Sequence, residues 1–137
     1  MDVKLFFPII FFFIIIACDN RTQKEKFDKH VYDEYHSKYN GIVIAKYIDN
    51  NDHNRHIIKI EHEVFGINRK DLTFQSLQLF DFIQVGDTLL KDNQSIKLNI
   101  KRMNLDTVIP LDFGNVKGKN LYYWENQYVK REFSIDD

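Results

Sequence analysis

Apolar residues follow three different rhythms along this chain. Residues 5–17 are an unbroken uncharged run, from Leu5 through three consecutive phenylalanines at 11–13 and three isoleucines at 14–16 to Ala17. Residues 19–26 then carry no large apolar side chain. From Phe27 the pattern becomes periodic: Phe27, Val31, Tyr35 and Tyr39 recur every four residues among charges, which predicts one stripe of an amphipathic helix. Asn40-Gly41 reads as its stop, since both residue types accept the left-handed conformation of a C-cap.

Beyond Gly41 the rhythm is that of strands. Residues 42–48 are rich in β-branched side chains, 49–54 form a polar turn, and 56–65 place Ile58, Ile60, His62 and Val64 on one face, so the two runs predict a hairpin. Residues 66–71 read as a loop and 72–74 as a short strand, while 76–83 fit a helical turn or two. Gly86-Asp87 turns into a strand at 88–91. Residues 96–101 alternate cleanly, burying Ile96, Leu98 and Ile100 and exposing Lys97, Asn99 and Lys101. A strand over 107–113 contains Pro110, which cannot donate to a ladder and so belongs at an edge or a bulge. The tail from Leu121 to Phe133 reads equally as a final strand or a short helix. The expected fold class is mainly β (α+β): a small antiparallel meander or partly open barrel preceded by one amphipathic helix.

The first apolar run changes the setting of this domain. At thirteen residues it is short for a bilayer-spanning helix, which needs roughly 20. With Lys4 before it, it has the form of a secretory signal. It ends at Ile15-Ile16-Ala17-Cys18, which resembles the bacterial lipobox. That resemblance implies a diacylglycerol thioether on Cys18, cleavage before it and acylation of the new amino group. Two or three acyl chains, at about 0.8 kcal/mol per buried methylene, make a stable anchor. The alternative is an uncleaved short anchor helix with an unmodified cysteine. The expected organisation is a signal peptide over 1–17, a polar tether over 18–26 and a single β-rich domain over 27–137.

Removing 17 residues from 137 leaves 120, one domain by size. Cys18 is the sole cysteine, so no internal disulfide staples the fold. The formal net charge of −1 supplies neither the basic footprint of a nucleic-acid binder nor a polybasic membrane face.

Residues 85–91 (Val-Gly-Asp-Thr-Leu-Leu-Lys), with 42–49 ahead and 106–114 behind, resemble a group of small Bacteroidota lipoproteins over about residues 5–114. The resemblance implies lipidation, a cell-envelope location facing the periplasm or the cell surface, at either the outer or the inner membrane, and a β-rich domain. It carries over no catalytic residue.

Five histidines invite a metal reading: His30, His36, His53, His56 and His62, the last flanked by Glu61 and Glu63. None has the one-turn spacing of a helical zinc motif, so they read as solvated or structural, and no metal or other cofactor is expected. Nucleophile elbows and phosphate loops are absent. Two runs, Asp87-Thr88-Leu89 and Asp106-Thr107-Val108, match the short O-glycosylation signal of Bacteroidota, which makes Thr88 and Thr107 possible acceptors. Tyr122, Tyr123, Trp124 and Tyr128 cluster near the end; buried they close the core, and exposed they contact a protein or glycan partner. The function expected is that of a lipid-anchored binding or accessory domain of the envelope. An envelope structural or immunity-type protein is the alternative, and a periplasmic hydrolase comes after it.

Overall fold

The computed structural model describes residues 21–134; Cys18 and the signal run lie outside them. The first element, α1 (Gln23–Tyr35), opens on a capping box: Glu25 N donates to Thr22 Oγ1 at 3.2 Å, and Thr22 N donates to the Glu25 carboxylate at 2.6 Å. The helix therefore begins inside the segment expected to be tether, which shortens any linker from Cys18 to residues 18–22. Phe27, Val31 and Tyr35 are its buried stripe. The helix stops one period before the sequence pattern does. Ser37 turns the chain by donating from N and Oγ to Glu34 O, at 3.1 and 2.9 Å.

Tyr39 instead opens β1 (Tyr39–Asp49), followed by β2 (Arg55–His62), β3 (Gly66–Asp71), the short helix α2 (Leu77–Phe82), β4 (Thr88–Lys91), β5 (Lys97–Arg102) and β6 (Leu105–Pro110). The six strands form one sheet in the order β3-β2-β1-β4-β5-β6, with every pairing antiparallel. Two three-stranded meanders thus lie side by side, joined where Tyr39–Ile42 pairs with Thr88–Lys91. The sheet stays open rather than closing into a barrel, because β3 and β6 are its two edges. Pro110 lies on the edge strand β6, where its missing N–H costs no ladder bond.

Three local expectations are corrected. Gly41 is not a helix cap; it pairs with Leu89 inside β1, and a Cβ there would lie 2.3 Å from Glu61 O. Residues 66–71 are a strand: β3 is a charged edge with no dry face, so it lacks alternation. Residues 72–74 are a turn instead of a strand, because the Asp71 carboxylate accepts from Thr73 N at 2.8 Å and bends the chain. The tail resolves into α3 (Lys119–Tyr122) and α4 (Gln127–Phe133), with no seventh strand among the described residues.

One face of the sheet carries the core. Val43, Ile58, Ile60, Leu89, Leu98 and Ile100 are covered by Phe27, Val31 and Tyr35 of α1, Leu79 and Phe80 of α2, and Phe113, Tyr123 and Val129 of the C-terminal segment. A bulge between Val43 and Ala45 shifts the β1 register. Lys46 Nζ donates to Asp81 O and Ile83 O, at 3.1 and 2.9 Å, satisfying carbonyls at the end of α2. The turn before β4 is held by Asp87, whose buried carboxylate accepts from Arg102 Nε and Nη2, at 2.6 and 2.7 Å, and from Gln84 N at 2.8 Å. The Arg102 guanidinium keeps the Asp87 carboxyl below the usual carboxylate range.

Candidate binding surface

A groove of about 530 Å³ runs between α1 and the segment that joins α3 to α4. Its α1 wall is Lys24, Asp28, Lys29 and Tyr32; its other wall includes Glu125, Asn126 and Tyr128. The helix stripe explains this arrangement. Phe27, Val31 and Tyr35 form the buried stripe, and Asp28 and Tyr32, each one position on from a stripe residue, line the groove. Asn126 fixes the other wall. Its Oδ1 caps α4 by accepting from Tyr128 N and Val129 N, at 2.9 and 3.3 Å, and its Nδ2 donates to Asp28 Oδ1 at 2.8 Å.

Four aromatic rings stand at one end of the groove. Tyr128 lies 4.6 Å from Tyr35, 5.8 Å from Tyr32 and 5.6 Å from His36, and Tyr32 and His36 are 4.3 Å apart. Tyr32 is half exposed. At the other end Lys24 Nζ donates to Asp28 Oδ2 at 2.7 Å, and this bond raises the lysine pKa and keeps it charged. An aromatic wall beside paired charges fits a polar ligand with a flat apolar face, such as a sugar ring or a peptide carrying a ring or a guanidinium.

The expected contact residues separate once placed. Tyr123 is core: it is buried, its hydroxyl donates to Leu111 O at 3.1 Å, and burial pushes the phenol up to about 12. Tyr122 is half-buried against Phe27 at 6.4 Å. Tyr128 lines the groove, whereas Trp124, 56% exposed, packs on Tyr123 and Phe133 and is not among the groove's walls. Thr88 lies within the sheet between Ile42 and Lys101, with Asp87 and Leu89 on either side buried. Thr107 sits on the edge strand opposite Ile100. Cys18 lies outside the described residues.

The histidines are dispersed. His30 stacks on Phe74 at 3.9 Å, and burial lowers its pKa. His56 stacks on Phe80 at 4.8 Å. His62 Nδ1 accepts from Val64 N and Phe65 N in the β2–β3 turn, at 3.0 and 3.2 Å. His53 lies in the β1–β2 turn beside Asp52. Among the described residues no three His, Cys, Asp or Glu side chains are grouped to hold a metal, and no helix is long and apolar enough to cross a membrane.

Sequence reasoning passed over two features. Tyr32 and His36 stand one helical turn apart, off the core stripe, and that spacing was the available signal for the groove. The other is a charged network at the C-terminal end of α1. The Glu34 carboxylate takes Lys70 Nζ at 2.6 Å and the Tyr39 hydroxyl at 3.1 Å, and buried Lys91 donates to Ser37 O at 2.7 Å and Asp92 O at 3.1 Å. Burial lowers the Lys91 ammonium to about 8. These bonds tie the end of α1 to β1, β3 and β4, so the network serves the fold. Comparison with protein-family models, with curated proteins and with solved structures gives no significant match for this chain.

Proposed function

We propose that the chain is a membrane-anchored bacterial lipoprotein, lipidated at Cys18, whose folded domain binds a protein or glycan of the cell envelope through the groove between α1 and α4. The observation that carries the binding reading is the Tyr32–His36–Tyr128 aromatic wall set against the Asp28, Lys24 and Asn126 polar edge. The strongly placed charges, Asp87, Arg102 and Lys91, are all engaged in holding turns and strand ends. The location rests on Lys4, the apolar run and the Ile15–Cys18 segment. Tethering raises the effective concentration of a weak site toward a neighbour in the same envelope, so a modest groove suffices.

The test has two arms in cells expressing the full chain. Radiolabelled palmitate is expected to enter the wild type and not Cys18→Ala; equal labelling of both refutes the anchor. Cross-linking in the native envelope followed by mass spectrometry is expected to recover a specific partner that Tyr32→Ala and Tyr128→Ala each weaken by about 1–2 kcal/mol, roughly tenfold, as hot-spot aromatics do. An undiminished partner in both folded variants refutes the groove.

A further inference from the structure

Leu121 and Trp124 are 69% and 56% exposed, large apolar side chains on one short stretch that also carries core Tyr123. That stretch abuts the first turns of α1. The Tyr122 and Tyr123 rings lie 6.4 and 6.5 Å from Phe27, Trp124 packs edge-on to Tyr123 at 4.8 Å, and Lys24 feels the charge of Glu125. The length of chain ahead of α1 then decides what faces this patch. Thr22, the N-cap, is four residues after Cys18. At about 3.6 Å per residue the chain reaches no more than about 14 Å, whatever path it takes.

We infer that Leu121 and Trp124 seat the domain on the bilayer surface beside the lipid anchor, with the indole at the headgroup boundary; this rests on the reading of Cys18 as lipidated. A lipid on Cys18 puts its thioether at glycerol depth. The headgroup layer is only about 5–8 Å thick per leaflet, so α1's first turn and its neighbours stand against or just above it. Tryptophan prefers that boundary because its ring is apolar and its N–H needs a wet partner. Lys117 and Lys119 flank the patch in sequence, and Lys119 Nζ lies 5.3 Å over the Tyr123 ring, placing ammonium groups within reach of lipid phosphates. Val64 and Phe65 are more exposed still, at 77% and 76%, but they sit at the β2–β3 turn against His62, with no chain length tying that turn to the anchor.

Trp124 is the chain's single tryptophan, so it reports its own surroundings. The acylated full chain is reconstituted into vesicles of phosphatidylethanolamine and phosphatidylglycerol, with or without brominated acyl chains. The expected result is a blue-shifted emission, quenching by the bromolipids, and protection from aqueous iodide. Leu121→Asp should reverse all three, and Phe65→Ser should leave them unchanged. A chain that floats with the vesicles while Trp124 stays open to iodide and blind to bromolipids overturns the seating and leaves the anchor standing. A chain that does not float removes the anchor and the seating with it. Protection found in native envelopes but not in the pure vesicles assigns the patch to a protein and overturns the bilayer contact.

Discussion

Phe27→Ala tests whether α1 is part of the cooperative fold or an appendage on it. Phe27 is fully buried and its ring meets three others, Phe113 at 5.9 Å, Tyr122 at 6.4 Å and Tyr123 at 6.5 Å. Truncating a buried phenylalanine costs about 3–5 kcal/mol through lost transfer energy and the cavity left behind. Ring pairs add about 0.5–1.5 kcal/mol each beyond area, which places this site at the upper end, near 4–5 kcal/mol. A domain of this size holds about 5–15 kcal/mol in all, so the variant keeps at best a modest margin. With a urea slope of about 2 kcal/mol/M, the midpoint is expected to fall by about 2 M at unchanged slope. Urea titration followed by Trp124 fluorescence and by far-ultraviolet circular dichroism measures this, since the indole packs on Tyr123 and the dichroism reports the sheet. A midpoint shift below about 0.5 M, worth less than about 1 kcal/mol, would refute the packing argument. Two separated transitions, fluorescence early and dichroism at the wild-type midpoint, would show that α1 and the C-terminal helices detach from a sheet stable without them.

Leu98→Ala is expected to cost about 2–5 kcal/mol, because Leu98 is fully buried mid-sheet between Ile96 and Ile100; a loss under about 0.5 kcal/mol in the same titration refutes that placement. Gly41→Ala sets a Cβ 2.3 Å from Glu61 O and 2.8 Å from Ile60 Cγ2, so the β1–β2 ladder must give way; a loss of about 1–3 kcal/mol or more is expected, and an unchanged melting temperature refutes it. Lys91 sets a pH dependence of stability. Its folded value, about 8, lies below its ordinary 10.5, so the folded state binds fewer protons in that window and stability rises with pH there. Tyr39 and Tyr123 act oppositely: their raised phenols contribute stability below pH 10 that is lost as pH climbs toward the folded values, about 12 for Tyr123. Thermal melts are expected to show stability climbing from pH 8 to 10 and falling above, with Lys91→Met abolishing the climb and keeping the fall; a flat wild-type profile over that rise refutes the burial argument.

The fold class was legible because most strands announce themselves by alternation or β-branching, as residues 96–101 do most clearly. The losses have physical causes. β3 hides because an edge strand needs no dry face, and Ile67 is its one large apolar residue. The bulge after Val43 breaks the alternation of residues 42–48, and Tyr39 continues the helical period by coincidence while belonging to a strand. The choice between a meander and a partly open barrel stayed open, because it depends on whether the edge strands β3 and β6 meet, which no local pattern encodes. Of the aromatic cluster, composition named four residues, but only the packing on Phe27 and the bond to Leu111 O divide buried Tyr123 from exposed Trp124. The groove was invisible as a pair of walls from distant segments, with Tyr32 lying 96 residues from Tyr128.

The strand order also dictates a sequence of events as the chain acquires its shape. Each meander closes through short turns, which form within microseconds. The seam between the meanders is different: it joins Tyr39 to Lys91 and Ile42 to Thr88, so it waits for some fifty residues of intervening chain. Synthesis runs from the N-terminus, so β1 exists for a time with β2 on one flank and an open row of backbone donors and acceptors on the other. The nascent flank spans Tyr39–Ile42 and is followed at once by Val43 and Ile44, an uncharged stretch ending in three β-branched residues that is open to wrong pairing. Until β4 arrives, the centre of the finished sheet is its most vulnerable border.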